Sequence, residues 1–143
     1  MPRIAALDVG DVRIGVAATD ELGLIAHPVT TIKRTASIKA DLRVVEELLA
    51  ELGASKVVVG LPVLPSGEEG PQAIKIRDFY DRLARRMRVP VVLFDESYST
   101  LEAEYLLLEA DVSRAKRRKV IDQMAAVIIL KGYMSSMDPN VNL

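Results

Sequence analysis

The chain has 143 residues, half of them hydrophobic, which is enough for one compact domain with its own core. It contains no cysteine, so a disulfide framework, a thiolate zinc site and a thiol nucleophile are excluded. The formal net charge of -1 argues against a uniformly basic nucleic-acid binder, but it does not show how the charges are distributed.

The first third of the chain is predicted to form three strands, at residues 4–7, 12–18 and 24–32, because short β-rich runs alternate with turn formers. Pro28 cannot donate a hydrogen bond to a neighbouring strand, so the third strand is expected at a sheet edge or at a bulge. Three consecutive strands with short connections imply an antiparallel meander.

The pattern then becomes helical. Ser37 is a predicted N-cap and Gly53 a predicted stop for a helix whose apolar residues recur at spacings of four and three. A buried strand is expected at residues 57–59, followed by a loop over residues 60–70. Pro71 then opens a second helix. The buried stripe predicted for that helix consists of Ile76, Phe79 or Tyr80, Leu83 and Met87.

Residues 91–94 form another predicted buried strand, and a capping-box pattern at Ser99 starts a helix that runs to about Ala110. A last helix is expected from near Lys119 to about Ser135. This order predicts a single α/β domain over residues 1–143, with three antiparallel strands, then two parallel strands, and helices on both faces of the sheet. With neither an export signal nor a membrane-length apolar run, the expected location is cytoplasmic, with no membrane partner.

Acidic residues follow two of the predicted strands and lie in the first turns of the last helix. Asp8 closes the first strand, Asp95 and Glu96 close the last, and Asp122 lies on the helix. Parallel strand ends converge on one rim, where grouped acids would repel one another unless a cation joined them. Oxygen ligands suit Mg²⁺ or Mn²⁺, which can activate water for phosphodiester hydrolysis. Each acid taken alone is better explained as a helix cap, a turn residue or a solvated side chain, and only their joint placement favours a metal site. Because adjacent strand residues face opposite ways, Glu96 is preferred to Asp95.

The helix face that carries Asp122 is otherwise apolar, with Ala125, Ala126 and Ile129 at three, four and seven residues further on. The two alanines would let this helix approach the sheet closely. A carboxylate at the border of such a face is costly unless a partner compensates it.

Basic residues are concentrated in two clusters. The first cluster supplies five basic residues within residues 114–119, just before Asp122. The second, within residues 82–88, is equally consistent with a binding surface and with a solvated helix end. The first cluster is therefore the predicted nucleic-acid contact. Its members are Arg114, Lys116, Arg117, Arg118 and Lys119, and those of the second are Arg82, Arg85, Arg86 and Arg88.

Two other functions stay open from the residues alone. Asp8, Gly10 and Gly15 also resemble the first phosphate-binding hairpin of actin-like kinases and ATPases, although those folds need a second half to enclose a nucleotide. A non-catalytic nucleic-acid-binding module is the other alternative.

Four ordered motifs together resemble the YqgF family, whose members are bacterial RNase H-like proteins related to Holliday-junction resolvases and described as nucleases that mature the 5′ end of pre-16S ribosomal RNA. The resemblance covers nearly the whole chain. The motifs are LDVGDVRIGVA at residues 7–17, VVGLP at 58–62 with Gly67 and Gly70, DESYST at 95–100, and DQMAAVIIL at 122–130.

The resemblance implies an RNase H-like fold and a metal-binding catalytic triad of Asp8, Glu96 and Asp122. It also implies that Arg13 and the glycine loop beginning at Gly60 lie near the substrate. The family usually has arginine after the Asp-Glu pair, where this chain has Ser97. The leading hypothesis is a Mg²⁺- or Mn²⁺-dependent nuclease acting on structured nucleic acid, either pre-16S rRNA or branched DNA. Symmetric cleavage of a four-way junction would require a homodimer.

Overall fold

The computed structural model describes residues 3–64, 66–96 and 114–137, which form a five-stranded mixed sheet with helices on both faces. The strand order is β3-β2-β1-β4-β5, in which β1, β2 and β3 are antiparallel while β4 and β5 run parallel to β1. This arrangement confirms the predicted topology. The elements are β1 (Arg3–Val9), β2 (Arg13–Thr19), β3 (Ala26–Lys33), α1 (Ile38–Leu52), β4 (Ala54–Pro62), α2 (Pro71–Arg86), β5 (Val91–Glu96) and α3 (Arg114–Met137).

Several local predictions are confirmed by the structure. The Ser37 side chain accepts a hydrogen bond from the Ala40 N–H at 3.1 Å, and α1 ends at Gly53, whose φ of 66° is a left-handed conformation that suits glycine. Pro28 lies in the edge strand β3, next to a shift in the β2–β3 register. Both explanations offered for that proline therefore apply.

The predicted boundaries that matter most for the site, at β4 and at the last helix, are wrong. Strand β4 continues to Pro62, so Gly60 is a buried strand residue and the loop begins after it. Helix α3 begins at Arg114 rather than near Lys119, because the intervening residues are good helix formers and include no breaker. Asp122 is thus the ninth residue of α3 instead of a member of its first turns. The helix predicted from Ser99 to about Ala110, together with Ser97, lies outside the described residues.

The alternation of side chains divides the core into two parts. On the side covered by α1 and α2, the buried strand residues are mostly large, such as Leu7, Ile14 and Val57. On the side covered by α3, they include Ala6 and Ala17. Small side chains on this second face allow the backbone of α3 to lie close to the sheet. Within the described ranges, no helix combines the length and the apolar character needed to cross a bilayer.

Candidate active site

Helix α3 touches β2 backbone to backbone at Gly15. A Cβ atom placed on Gly15 would lie 1.9 Å from the backbone carbonyl oxygen of Asp122, so only glycine permits this approach. Gly15 is also the residue of β2 that pairs with Asp8 of β1. Asp8 alternates with Ile4 and Ala6, which pack on the α3 side. The structure therefore brings Asp8 and Asp122 to the two sides of one glycine, although they are far apart in sequence.

Arg13 lies two residues before Gly15 on the same face of β2 and forms an ion pair with Asp122. Its Nε donates to Asp122 Oδ2 at 2.6 Å, and the two side chains are 29% and 17% exposed. The apolar face of α3 predicted that Asp122 needs a compensating partner, and in this structure that partner is Arg13. Arg13, which was expected near the substrate, is thus hydrogen-bonded to Asp122, a residue of the expected catalytic triad.

The carboxyl ends of β1, β4 and β5 share one rim of the sheet, as expected for parallel strands. Glu96, the last residue of β5, pairs with Pro62 of β4, whereas Leu7 of β1 pairs with Val59. Glu96 therefore lies at the same rim as Asp8, about 12 Å away, because it is two strand spacings across and two residues further along the strand direction. Its backbone position alternates with that of Asp95, and its side chain lies outside the described part of the chain.

Asp95 is exposed and lies on the other side of the sheet, toward α2. The pKa of Arg77 on α2 is raised, chiefly by its hydrogen bond to Glu69 and also by the negative charge of Asp95. Asp95 therefore interacts with a helix that does not carry Asp122. This placement agrees with the preference for Glu96 as the inward-facing acid.

The donor chemistry of Asp8 and Asp122 fits a small divalent cation. Within the described ranges, no group of three or more histidine, cysteine or acidic side chains is arranged to hold a metal. Two carboxylates that supply only oxygen ligands suit Mg²⁺ or Mn²⁺, because these ions keep several water ligands and use few protein ligands. Glu96, as third member of the triad, stays a prediction.

A buried polar network that the sequence reasoning missed supports the turn after Asp8. Asp41 of α1 is only 2% exposed and accepts hydrogen bonds from the Thr35 N–H and hydroxyl, both at 2.9 Å, and from Arg34 Nε at 3.1 Å. Burial alone would raise the pKa of Asp41, but these hydrogen bonds outweigh it and lower the pKa. The sequence contains a sign of this network, because Asp41 is an acidic residue on the apolar stripe of α1, three residues after Ile38, where a buried carboxylate needs partners.

Arg34 connects this network to the β1–β2 turn. Its Nη1 donates to the Gly10 carbonyl oxygen at 2.9 Å, and its backbone N–H donates to the Val12 carbonyl oxygen at 2.8 Å. Its guanidinium also lies 5.3 Å from the ring centroid of Phe79. The turn that leads from Asp8 to Arg13 is consequently anchored at two carbonyl groups.

The two basic clusters lie in different parts of the fold. The cluster at residues 114–119 forms the first turns of α3, within about 12 Å of Asp122 along the helix axis at 1.5 Å per residue. The second cluster lies at the end of α2 and, with Arg88, just beyond it, at the opposite rim of the sheet from Asp8. There Arg82 pairs with Asp78 at 3.0 Å and Arg86 pairs with Glu46, as expected for a solvated helix surface.

Comparison with known proteins finds relatives over nearly the whole chain. The family model described as "RuvX: Holliday junction resolvase" matches residues 2–136. A protein of Desulforudis audaxviator named "Putative pre-16S rRNA nuclease" is 47% identical over 134 residues, covering 94% of each chain. A protein of the same name from Myxococcus xanthus is 49% identical over 137 residues, covering 96% of this chain and 90% of its own.

Among solved structures, Thermus thermophilus RuvC in complex with a Holliday junction substrate aligns with a TM-score of 0.55. The alignment covers 94% of this chain and 96% of RuvC at 14% sequence identity, which is a likeness of fold alone. The fold is RNase H-like, as the motifs implied. By sequence, and over nearly its full length, the chain belongs to the RuvX Holliday junction resolvase family.

Proposed function

We propose that this protein is a divalent-metal-dependent nuclease that hydrolyses phosphodiester bonds in structured nucleic acid. The observation that carries the proposal is the position of Asp8 and Asp122 on either side of Gly15, fixed by direct contact between the α3 and β2 backbones. Relatives of this chain are named for pre-16S rRNA and its family for Holliday junctions. The proposed substrates are therefore the 5′ end of pre-16S rRNA, branched DNA, or both.

Asp8, Asp122 and Glu96 are the residues proposed to hold Mg²⁺ or Mn²⁺. The bound ion would act as a Lewis acid and lower the pKa of a coordinated water. The rest of the chain orients these ligands. The Gly15 contact fixes the backbone of Asp122, and Arg34 holds the turn after Asp8. Residues 1–143 are proposed to act as one nuclease domain.

The basic residues at 114–119 are proposed to bind the phosphate backbone beside the acidic site. They lie on the helix that carries Asp122, and about 12 Å of helix corresponds to three or four nucleotides of a strand at 3.4 Å each. Arg13 and Gly60 are proposed to lie near the same bound nucleic-acid strand. The near-neutral net charge of the chain then reflects an acidic site next to a basic one.

The partner and location follow from the proposed substrates. Two symmetric cuts in a four-way junction need two active sites, so we propose a homodimer with equivalent surfaces in contact for that reaction. The cytoplasm is the proposed location, because both candidate substrates are nucleic acids.

The test is a cleavage panel with wild type, Asp8→Asn and Asp122→Asn in Mg²⁺ or Mn²⁺. The substrates are a four-way junction, a flap, a single strand and a pre-16S rRNA fragment. Each substitution should lower the cleavage rate at least about 100-fold, because charge stabilisation by a metal is worth several kcal/mol. Asp78→Asn is the matched control, since Asp78 lies on α2 and pairs with Arg82.

Undiminished cleavage by Asp8→Asn and Asp122→Asn would show that the active site lies elsewhere. Binding without cleavage across all metals and substrates would favour a nucleic-acid-binding module instead. ATP binding with turnover would favour the actin-like alternative.

A further inference from the structure

We propose that Arg13 is a displaceable counter-ion of Asp122. In this role Arg13 neutralises the carboxylate when no divalent ion is bound, and it moves to a substrate phosphate when an ion takes the carboxylate. The inference rests on the proposed function, because it assigns a second role to a metal ligand of that site. Arg13 would be a positioning residue that couples metal binding to nucleic-acid binding.

The Arg13–Asp122 contact has the geometry of a pair that can be exchanged. Arg13 uses one nitrogen, Nε, to reach one oxygen of Asp122 at 2.6 Å. Arg77, by comparison, holds Glu69 through two parallel hydrogen bonds. The Arg13 side chain is 29% exposed, so it has a route to solvent that does not require the core to open. A one-point, partly exposed pair is easier to replace than a bidentate one.

The backbone of Asp122 lies directly against the sheet. Its backbone carbonyl lies where even a methyl group on Gly15 would not fit. A cation that binds the Asp122 carboxylate would therefore lie close to the Arg13 guanidinium, which already contacts one of its two oxygens. Because a guanidinium and a divalent ion repel each other strongly at hydrogen-bond distances, the ion and Arg13 compete for the carboxylate.

Displacement of Arg13 has a consequence for substrate binding. The released guanidinium stays tethered to β2 beside the site, where it can donate to a phosphate oxygen with the fork geometry that suits phosphates. Metal binding would thereby add a phosphate contact, and nucleic acid would in turn favour the metal-bound state by the same factor. Without metal, Arg13 is engaged with Asp122 and contributes less to phosphate binding.

The first experiment measures Mn²⁺ binding by isothermal titration calorimetry without nucleic acid. Arg13→Met removes the competitor while keeping an unbranched side chain, and it should bind Mn²⁺ about tenfold more tightly than wild type, the effect of one charge-assisted hydrogen bond. Arg13→Lys keeps a competing cation and should stay within about threefold of wild type. Lys75→Met is the matched charge control, because Lys75 pairs with Asp11 at 3.3 Å and does not contact Asp122.

The second experiment measures affinity for four-way junction DNA by fluorescence anisotropy, with and without Ca²⁺ in place of the catalytic metal. Adding Ca²⁺ should tighten binding by wild type, and the gain should be about fivefold smaller in Arg13→Met, because the released guanidinium is missing. Thermal melts of each variant confirm that it is folded.

Unchanged or weaker Mn²⁺ binding by Arg13→Met would overturn the inference, as would an equal gain in Lys75→Met, which would indicate a general charge effect. Either result leaves the proposed function intact if Asp122→Asn still abolishes Mn²⁺ binding. If wild type and Asp122→Asn bind Mn²⁺ equally, the metal site at Asp122 is wrong and both proposals fail.

Discussion

Replacing Gly15 with alanine should damage both stability and the acidic site. The new Cβ would lie 1.9 Å from the Asp122 carbonyl oxygen, about 1.5 Å short of ordinary van der Waals contact, and the obstacle is backbone rather than a flexible side chain. Helix α3 would have to retreat. We expect the free energy of unfolding to fall by about 3 kcal/mol, the upper end of the range for overpacked cores, and the melting temperature to fall by about 10 °C.

The same retreat would displace the Asp122 carboxylate from Asp8. A misplacement of about 1 Å can cost a factor of about 100 in rate, so Mn²⁺ affinity and cleavage should fall together. Thermal denaturation followed by circular dichroism measures the first effect and calorimetry with Mn²⁺ the second.

Gly132→Ala is the matched control for this substitution. It makes the same chemical change within α3, but its Cβ would meet the end of the Phe94 side chain at 3.0 Å, and that ring can shift. Alanine also improves helix propensity by about 1 kcal/mol, so little net change is expected. A Gly15→Ala protein that melts like wild type and binds Mn²⁺ normally would refute the proposed contact between α3 and β2.

Three further predictions concern other parts of the chain. Asp41→Asn removes the buried carboxylate that pairs with Arg34 and should lower the free energy of unfolding by about 3 kcal/mol, as measured by urea denaturation at pH 7. Asp78→Asn, which replaces an exposed acid, should change the free energy of unfolding little. Because the pKa of Asp41 is lowered by folding, its contribution is complete above about pH 4 and is lost as the pH falls further, so Asp41→Asn should flatten that part of the acid-unfolding curve. Ser37→Ala removes the N-cap of α1 and should cost about 1 kcal/mol by the same denaturation assay; a loss below about 0.3 kcal/mol would contradict the capping role. Replacing Lys116 and Arg118 with glutamine should reduce the salt dependence of junction binding, with the slope falling by about 0.9 for each phosphate that is no longer neutralised, and an unchanged slope would remove these residues from the interface.

The features that could be predicted are those whose cause lies within a few residues. The limits of α1 follow from Ser37 and Gly53, and the edge position of β3 follows from Pro28. The topology followed from the order of such elements, because short connections favour antiparallel neighbours and helical crossovers favour parallel ones. The grouping of Asp8 with Asp122 was expected for a similar reason, since strand ends converge and the face of α3 is apolar.

The features that could not be predicted depend on pairs that are distant in sequence. Arg13 and Asp122 are 109 positions apart, and nothing in the neighbourhood of either residue identifies the other. Likewise, Arg34 reaches Gly10 only because the β1–β2 turn and the start of α1 meet in the folded chain. The start of α3 was misplaced for a different reason, since a run of basic residues is compatible with both loop and helix.

Neighbouring residues of strand β1 face the larger apolar core and the proposed acidic site in turn. Leu7 is fully buried against α1 and α2, while its neighbour Asp8 belongs to the side of the sheet covered by α3. A slip of β1 by one residue would exchange the two faces, moving the carboxylate into the larger apolar core and the leucine toward the site. A chain with β1 in the wrong register would therefore be strongly destabilised, so the same packing that forms the core also disfavours misassembly of the proposed active site.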